Sequence, residues 1–440
     1  MRTRLITQIK RTIDRVTLIS IATIIGAVLI VVTTPQITAQ IKTVAKYPAT
    51  ACPSNLSDAT AVATLTNSKA LVREIPAKSA KLSSAKVANY ALGTNPLLID
   101  GNANSSLAVI KNSSGALATG ICTISTGDQW FVGGSGTVLS RGSIVIVNSG
   151  LSAATVDLLP FTSKAALAAV TQVVKPNSQL KVPIDSLAPG EDSIVIHAIT
   201  RSGRASTYLF DDRHKGLHQL GVDFVSPVSS PTTHLVIPAI SNVGIGKSAP
   251  TQSLRVLIPG AIDASIKANI YSTDGSFAPI EIDGKNIKHG QVFDLPFKPV
   301  VNAKNYSLVI DSDQPLVAAV LTVAGSDFTW ATGAPQLINA GFNLGGLTPS
   351  VEFVGANISV QMSWLDINGR TGSQSLTASD FATWTPKNGI ARINFKSNGK
   401  SYGAMIFGNG FARASIPMTS GASLENSALP ATDARVISRG

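Results

Sequence analysis

Along most of this chain, apolar residues recur at period two or in short unbroken runs, broken by turn formers at roughly the 8–12-residue intervals of short strands. "SSLAVIKNSSGALATGICTISTGDQW", ending at Trp130, and "YSLVIDSDQPLVAAVLTVAGSDFTW", ending at Trp330, share one outline: a strand, a polar turn, a second strand, and an Asp shortly before a Trp. "DSIVIHAITRSGRASTYLF", Asp192 to Phe210, and "ARINFKSNGKSYGAMIF", Ala391 to Phe407, also read as hairpins turning on Ser, Gly and Asn. A third set, "GSIVIVNSGLSAATVDLLPF", "QSLRVLIPGAIDASIKANIY" and the looser "SVEFVGANISVQMSWLDINGR", repeats a strand, a Gly-containing connection and a second, alternating strand. The recurrence predicts four related units with a period of about one hundred residues. The expected fold class is mainly β, a tandem of Ig-like β-sandwich units at 51–129 (with a disulfide), 130–229, 230–329 and 330–417, followed by a tail at 418–440.

The one long apolar run lies upstream of these units. Arg2, Arg4, Lys10, Arg11 and Arg15 precede "VTLISIATIIGAVLIVV", and no charge occurs from Val16 to Ile41. The run approaches the ~20 apolar residues that a bilayer requires. We read residues 1–15 as a cytoplasmic basic segment, 16–34 as a transmembrane anchor and 35–50 as a linker. The positive-inside bias then puts the rest of the chain outside the cell membrane. "ITA", Ile37 to Ala39, keeps a cleavable signal peptide open as the competing reading.

Composition sharpens the picture. Only 14% of residues are charged, while 36 Gly and 23 Pro supply turns. Five basic residues against Asp14 leave +4 in the first fifteen positions and +7 of the total +11 elsewhere. A basic external surface is drawn to anionic wall polymers or lipid head groups, and the compartment argues against nucleic acid. Cys52 and Cys122 are the only cysteines. In an oxidising compartment they are expected to form a disulfide, stabilising by about 4 kcal/mol for a loop of this length.

Candidate chemistry is sparse. The glycines of "DQWFVGGSG" precede "TVLSRGSIVIVN", a turn and a strand, so they lack the helix N-terminus that a phosphate cradle needs. Asp211, Asp212, His214 and His218 have metal-ligand chemistry, but Gly216 breaks the helical spacing the pair of histidines would need, and the segment reads as a solvated loop. His197 reads as a strand residue, and His234 and His289 stand alone. Ser83 and Lys86 form a Ser-x-x-Lys pair without the companion elements of penicillin-recognising enzymes. Acidic turns at Asp100, Thr273 and Asp311 read as turns rather than Ca²⁺ loops. Trp130 and Trp330 read as core residues, and Trp364 and Trp384 are the candidates for stacking on a sugar. No catalytic, metal or cofactor residues are assigned.

"DQWFVGGSG", "IVIVNSGLSAATVDL", "LAPG" and "LGVDFV" together resemble an uncharacterised actinobacterial family of membrane-anchored, exported proteins with a β-rich domain of unknown function. The resemblance runs from about Cys52 to the last repeat and implies an N-terminal signal or anchor before an extracytoplasmic β-rich region. It supplies no catalytic residues. The expected function is a non-catalytic envelope scaffold or adhesion module, holding an anionic wall polymer or an envelope protein near the membrane. A carbohydrate-binding module for wall glycan is the alternative, and an envelope hydrolase with an unrecognised site is the second.

Overall fold

The computed structural model describes residues 44–66, 69–76, 81–246, 248–410, 412–420 and 424–426, together with Ser20. Apart from Ser20, the expected anchor at 16–34 lies outside them, as do the expected basic segment and most of the tail. Among the described residues no helix is long and apolar enough to cross a membrane. The chain divides into two units. One, Met1–Ala45 with Glu425–Gly440, holds among the described residues Ser20 and parts of the short paired strands Val44–Lys46 and Leu424–Asn426 at its boundary. The other, Lys46–Leu424, is mainly β and holds everything that follows.

It is built from four pairs of antiparallel sheets with one recurring topology. In the second pair the strands in chain order are Asp128–Val132, Ser143–Asn148, Ala154–Thr162, Val170–Val174, Ser178–Pro183, Ile194–Ser202, Ala205–Lys215 and His218–Val225. The first, sixth, third and fourth form one sheet; the fifth, second, seventh and eighth form the other. The same two orders recur within residues 50–121 and 339–417. In the third pair, 232–332, the sixth and seventh strands are fused into the 20-residue strand Asn305–Ala324, whose halves pair in different sheets. The order keeps two pairings of the immunoglobulin domain, second with fifth and third with sixth, but puts the first strand beside the sixth and the seventh beside the second.

The two sheets of a pair have different surroundings, and the side-chain pattern follows them. The third strands Ala154–Thr162 and Ala264–Ser272 alternate between buried and more exposed positions, as a sheet with one wet face requires. The second strand Ser143–Asn148 is buried at every position, because its sheet is covered on both faces. On one side lies its own partner sheet, through Ile144 and Ile146; on the other lies the first pair, through Val145 and Val147. Leu257, Val317 and Trp330 of the third pair join the core of the second in the same way, and Leu107, Val109 and Leu117 of the first join that of the fourth. Ala239 meets Ala404 and Ile406 between the third and fourth.

These contacts bring the four eighth strands together. Leu117–Ile121 packs on His218–Val225, that strand on Asp327–Thr332, that on Ala412–Pro417, and the last returns to Leu117–Ile121, closing a square.

The structure corrects four sequence readings. In "YSLVIDSDQPLVAAVLTVAGSDFTW" the expected polar turn at 311–314 is part of the continuous strand Asn305–Ala324. Asp192 to Phe210 and Ala391 to Phe407 are not hairpins: in each, the chain crosses from one sheet to the other at the polar turn. Trp130 and Trp330 are not equivalent, since Trp130 lies on a first strand and Trp330 on an eighth. Residues 211–219 are not a solvated loop but strand, turn and strand, with Asp211 fully buried. The glycine-rich stretch serves close packing: Gly134 has φ 85°, and a side chain on Gly136 would meet the Ala188 carbonyl at 1.9 Å.

Candidate functional site

The strand square has two unlike ends. Near one, the Asp327 carboxyl lies among the starts of the strands. Its Oδ1 accepts the Phe328 N–H at 2.9 Å, and the amides of Leu117, Val222 and Arg413 also favour its charged form, so all four strands contribute. Burial outweighs them and raises its pKa to about 7. Gly221 makes room, because a Cβ there would lie 2.4 Å from Asp327 Oδ1.

Around this carboxyl the interfaces are locked by buried polar groups. Asp223 accepts the Trp330 backbone N–H at 2.7 Å, and Asp211 accepts the Trp330 indole N–H at 2.9 Å. Burial raises Asp223 well above the usual carboxylate range. Arg213 bonds Asp211 at 3.0 Å and lies 4.2 Å above the Phe328 ring. Arg255 grips both oxygens of Asp294, at 2.8 and 2.9 Å, and donates to the Gly134 carbonyl at 2.6 Å, tying the third pair to the second. Burial works to raise the Asp294 pKa, but the Arg255 bonds and charge leave it lowered. Between the third and fourth pairs, burial raises Glu352 to about 8, against the pull of Asn305 and the Ala239 amide.

At the other end the chain leaves the eighth strand of each of the first three pairs and turns back on the first strand of the same pair. The contacts are Ala51 with Thr123, Trp130 with Val228, and Val236 with Ala334. The Cys52–Cys122 disulfide pins this return in the first pair, and the buried Tyr208 hydroxyl completes it by donating to the Ala51 carbonyl and accepting the Thr123 N–H at 2.8 Å. The returning linkers wall a cavity of ≈ 660 Å³. Residues 99–106 and 121–129, 227–235, 333–336, and Tyr402 with Thr419 and Ser420 all contribute, so the four pairs share it.

The lining carries amides (Asn102, Asn104, Gln129, Gln336), hydroxyls, the rings of Tyr47 and Tyr402, and apolar Ile99, Ile124 and Val228. Its ionisable groups include Asp100, Asp128 and His234, with no lysine or arginine among the described lining residues. His197 holds Asp128 at 2.8 Å, and His234 contacts Asp311 at 2.7 Å. The hydroxyls of Ser106 and Thr126 are buried and have no hydrogen-bond partner.

The sequence candidates fall elsewhere. Trp384 is buried and donates to Gln374 at 3.0 Å, while the half-buried Trp364 packs on it with ring centres 5.1 Å apart; neither lines the cavity. Trp130 stacks on His197 at 3.8 Å, and Trp330 is core. Asp211 faces Trp330, His214 lies 2.8 Å from Asp212, and His218 is exposed, so these residues do not converge. Among the described residues no group of three or more His, Cys, Asp or Glu is placed to hold a metal ion. Ser83 is exposed on the short strand Ser83–Ala85. Of the acidic turns, Asp100 is at the cavity. Sequence reasoning missed the cavity because its parts lie hundreds of residues apart. It also missed the central carboxyls, although an Asp inside an apolar run, "VDFV" and "SDFTW", was a usable signal.

Residues 99–376 match a family of unknown function (DUF5719). No curated protein matches the chain.

Proposed function

We propose, from the premise that the chain belongs to the DUF5719 family of unknown function, that it is a non-catalytic binding module of the cell envelope whose ligand sits in the cavity at the open end of the strand square. In this reading each sheet pair is an Ig-like sandwich unit, residues 16–34 anchor the chain in the cell membrane with the bulk outside, and the partner is a wall polymer or an envelope protein. The basic charge favours approach to an anionic envelope.

The observation that carries the proposal is that linkers from all four sheet pairs, which need only connect, instead enclose one roomy space rich in hydrogen-bonding groups. A scaffold held together only by its cores gains nothing from such a space. The test is co-sedimentation of the full chain with isolated cell walls, beside a Ser229→Trp variant, which puts a large ring at an exposed lining position. The proposal predicts that the variant folds but loses wall binding. Equal binding by both proteins would place the contact outside the cavity.

A further inference from the structure

Given that the cavity is the ligand seat, which is the reading just proposed, we infer that it takes a neutral polyhydroxylated ligand, a short saccharide segment, rather than an anionic polymer. Anion sites are built from lysine, arginine or converging backbone amides. This lining has no described basic residue except His234, which is occupied by Asp311. Asp100 is exposed at the rim, and Asp128 adds a second carboxylate. A polyanion that reached the cavity would face these charges with no fixed counter-charge.

A saccharide meets the same wall differently. Each of its hydroxyls both donates and accepts, as do the amides of Asn102, Gln129 and Gln336. Its C–H faces match the apolar patches and the rings of Tyr47 and Tyr402. A volume of ≈ 660 Å³ lies within the roughly 300–1,000 Å³ of small-molecule sites.

The accessible part of the wall points the same way. Asn102 and Gln336 are lining residues at exposed positions, where their amides are open to a ligand. Asn102 lies between the strands Leu97–Ile99 and Leu107–Lys111 of the first pair and Gln336 on the linker from the third pair into the fourth, so a ligand held by both would bridge distant pairs. A hydroxylated ligand can bond both amides without bringing charge.

The experiment is calorimetric titration of the full chain with two neutral probes, maltotriose and triacetylchitotriose, and one anionic probe, polyphosphate. Each is run at low and high salt for the wild type and for Asn102→Ala and Gln336→Ala. Both substitutions lie at exposed lining positions and remove an amide from the wall. The inference predicts that at least one neutral trisaccharide binds with little salt dependence and loses about tenfold in affinity in each variant, the size of one good hydrogen bond. Polyphosphate bound in the cavity, shown by competition from Ser229→Trp, with neither trisaccharide binding, would overturn the ligand class but leave the cavity as the seat. Wall binding that Ser229→Trp leaves unchanged would overturn the seat itself. Trisaccharide affinities identical in wild type and both amide variants would overturn the assigned contacts.

Discussion

The two ends of the strand square are made by the same four strands and do opposite things with polar groups. At the closed end, buried carboxyls are each given partners from neighbouring sheet pairs: Asp327 among amides of four strands, Asp223 on Trp330, Asp211 on Trp330 and Arg213. At the open end, amides, hydroxyls and carboxylates line a cavity, several at exposed positions such as Asn102, Ser229 and Gln336. Buried polar groups bonded across sheet pairs hold a fold, whereas polar groups that line an accessible cavity are available to something from outside. The difference separates substitutions that should cost stability from those that should cost binding.

The largest expected effect is on pH dependence at the closed end. Burial raises Asp327 to about 7 and Glu352 to about 8, so the folded protein holds protons that the unfolded chain, with ordinary carboxyls, has released. Stability from these groups is complete below about pH 4 and falls as pH rises toward 7–8, at up to roughly 1.4 kcal/mol per pH unit for each group. Carboxyls such as Asp157 and Asp263, lowered by hydrogen bonds from Thr171 and from His289, act oppositely and lose their contribution below about pH 4. Denaturant melts from pH 5 to 9 should show this decline, and Asp327→Asn should flatten it.

Next in size, Gly221→Val should destabilise by about 3 kcal/mol, since its side chain would enter the space of Asp327 and of the Phe328 ring, 2.5 Å from the Cβ position. Urea unfolding would measure the loss. Tyr208→Phe, at the return beside the disulfide, should cost about 2 kcal/mol in the same assay by stranding the Thr123 N–H and the Ala51 carbonyl. At the small end, Ser106→Ala should change stability by less than about 0.5 kcal/mol, because the hydroxyl it removes bonds nothing in the protein. A loss as large as that of Tyr208→Phe would erase the contrast between the ends.

How far the sequence reached can be judged on the same residues. Alternation in "ATVDLLPFT" and the unbroken run "SIVIVN" announced strands, because burial on one face or on both leaves those marks. Pairing was not legible. The turn at Ser202–Arg204 would serve a hairpin or a crossing equally well, and only the packing of the two sheets decides for the crossing. The outline shared by Trp130 and Trp330 misled for a related reason: strands look alike locally, while their place in a pair depends on distant partners. The disulfide was legible because two cysteines offer one pairing. The cavity was not, since Ser106, Val228, Gly333 and Tyr402 meet only after four pairs have packed.

The central claim is that the open end is where this protein meets its ligand. Hydrogen–deuterium exchange of the full chain with and without soluble cell-wall fragments tests it most directly. The account predicts added protection in 99–106, 121–129, 227–235 and 333–336, with the closed end unchanged. Protection confined instead to outward strands such as Ala264–Ser272 or Thr371–Ala378 would contradict it.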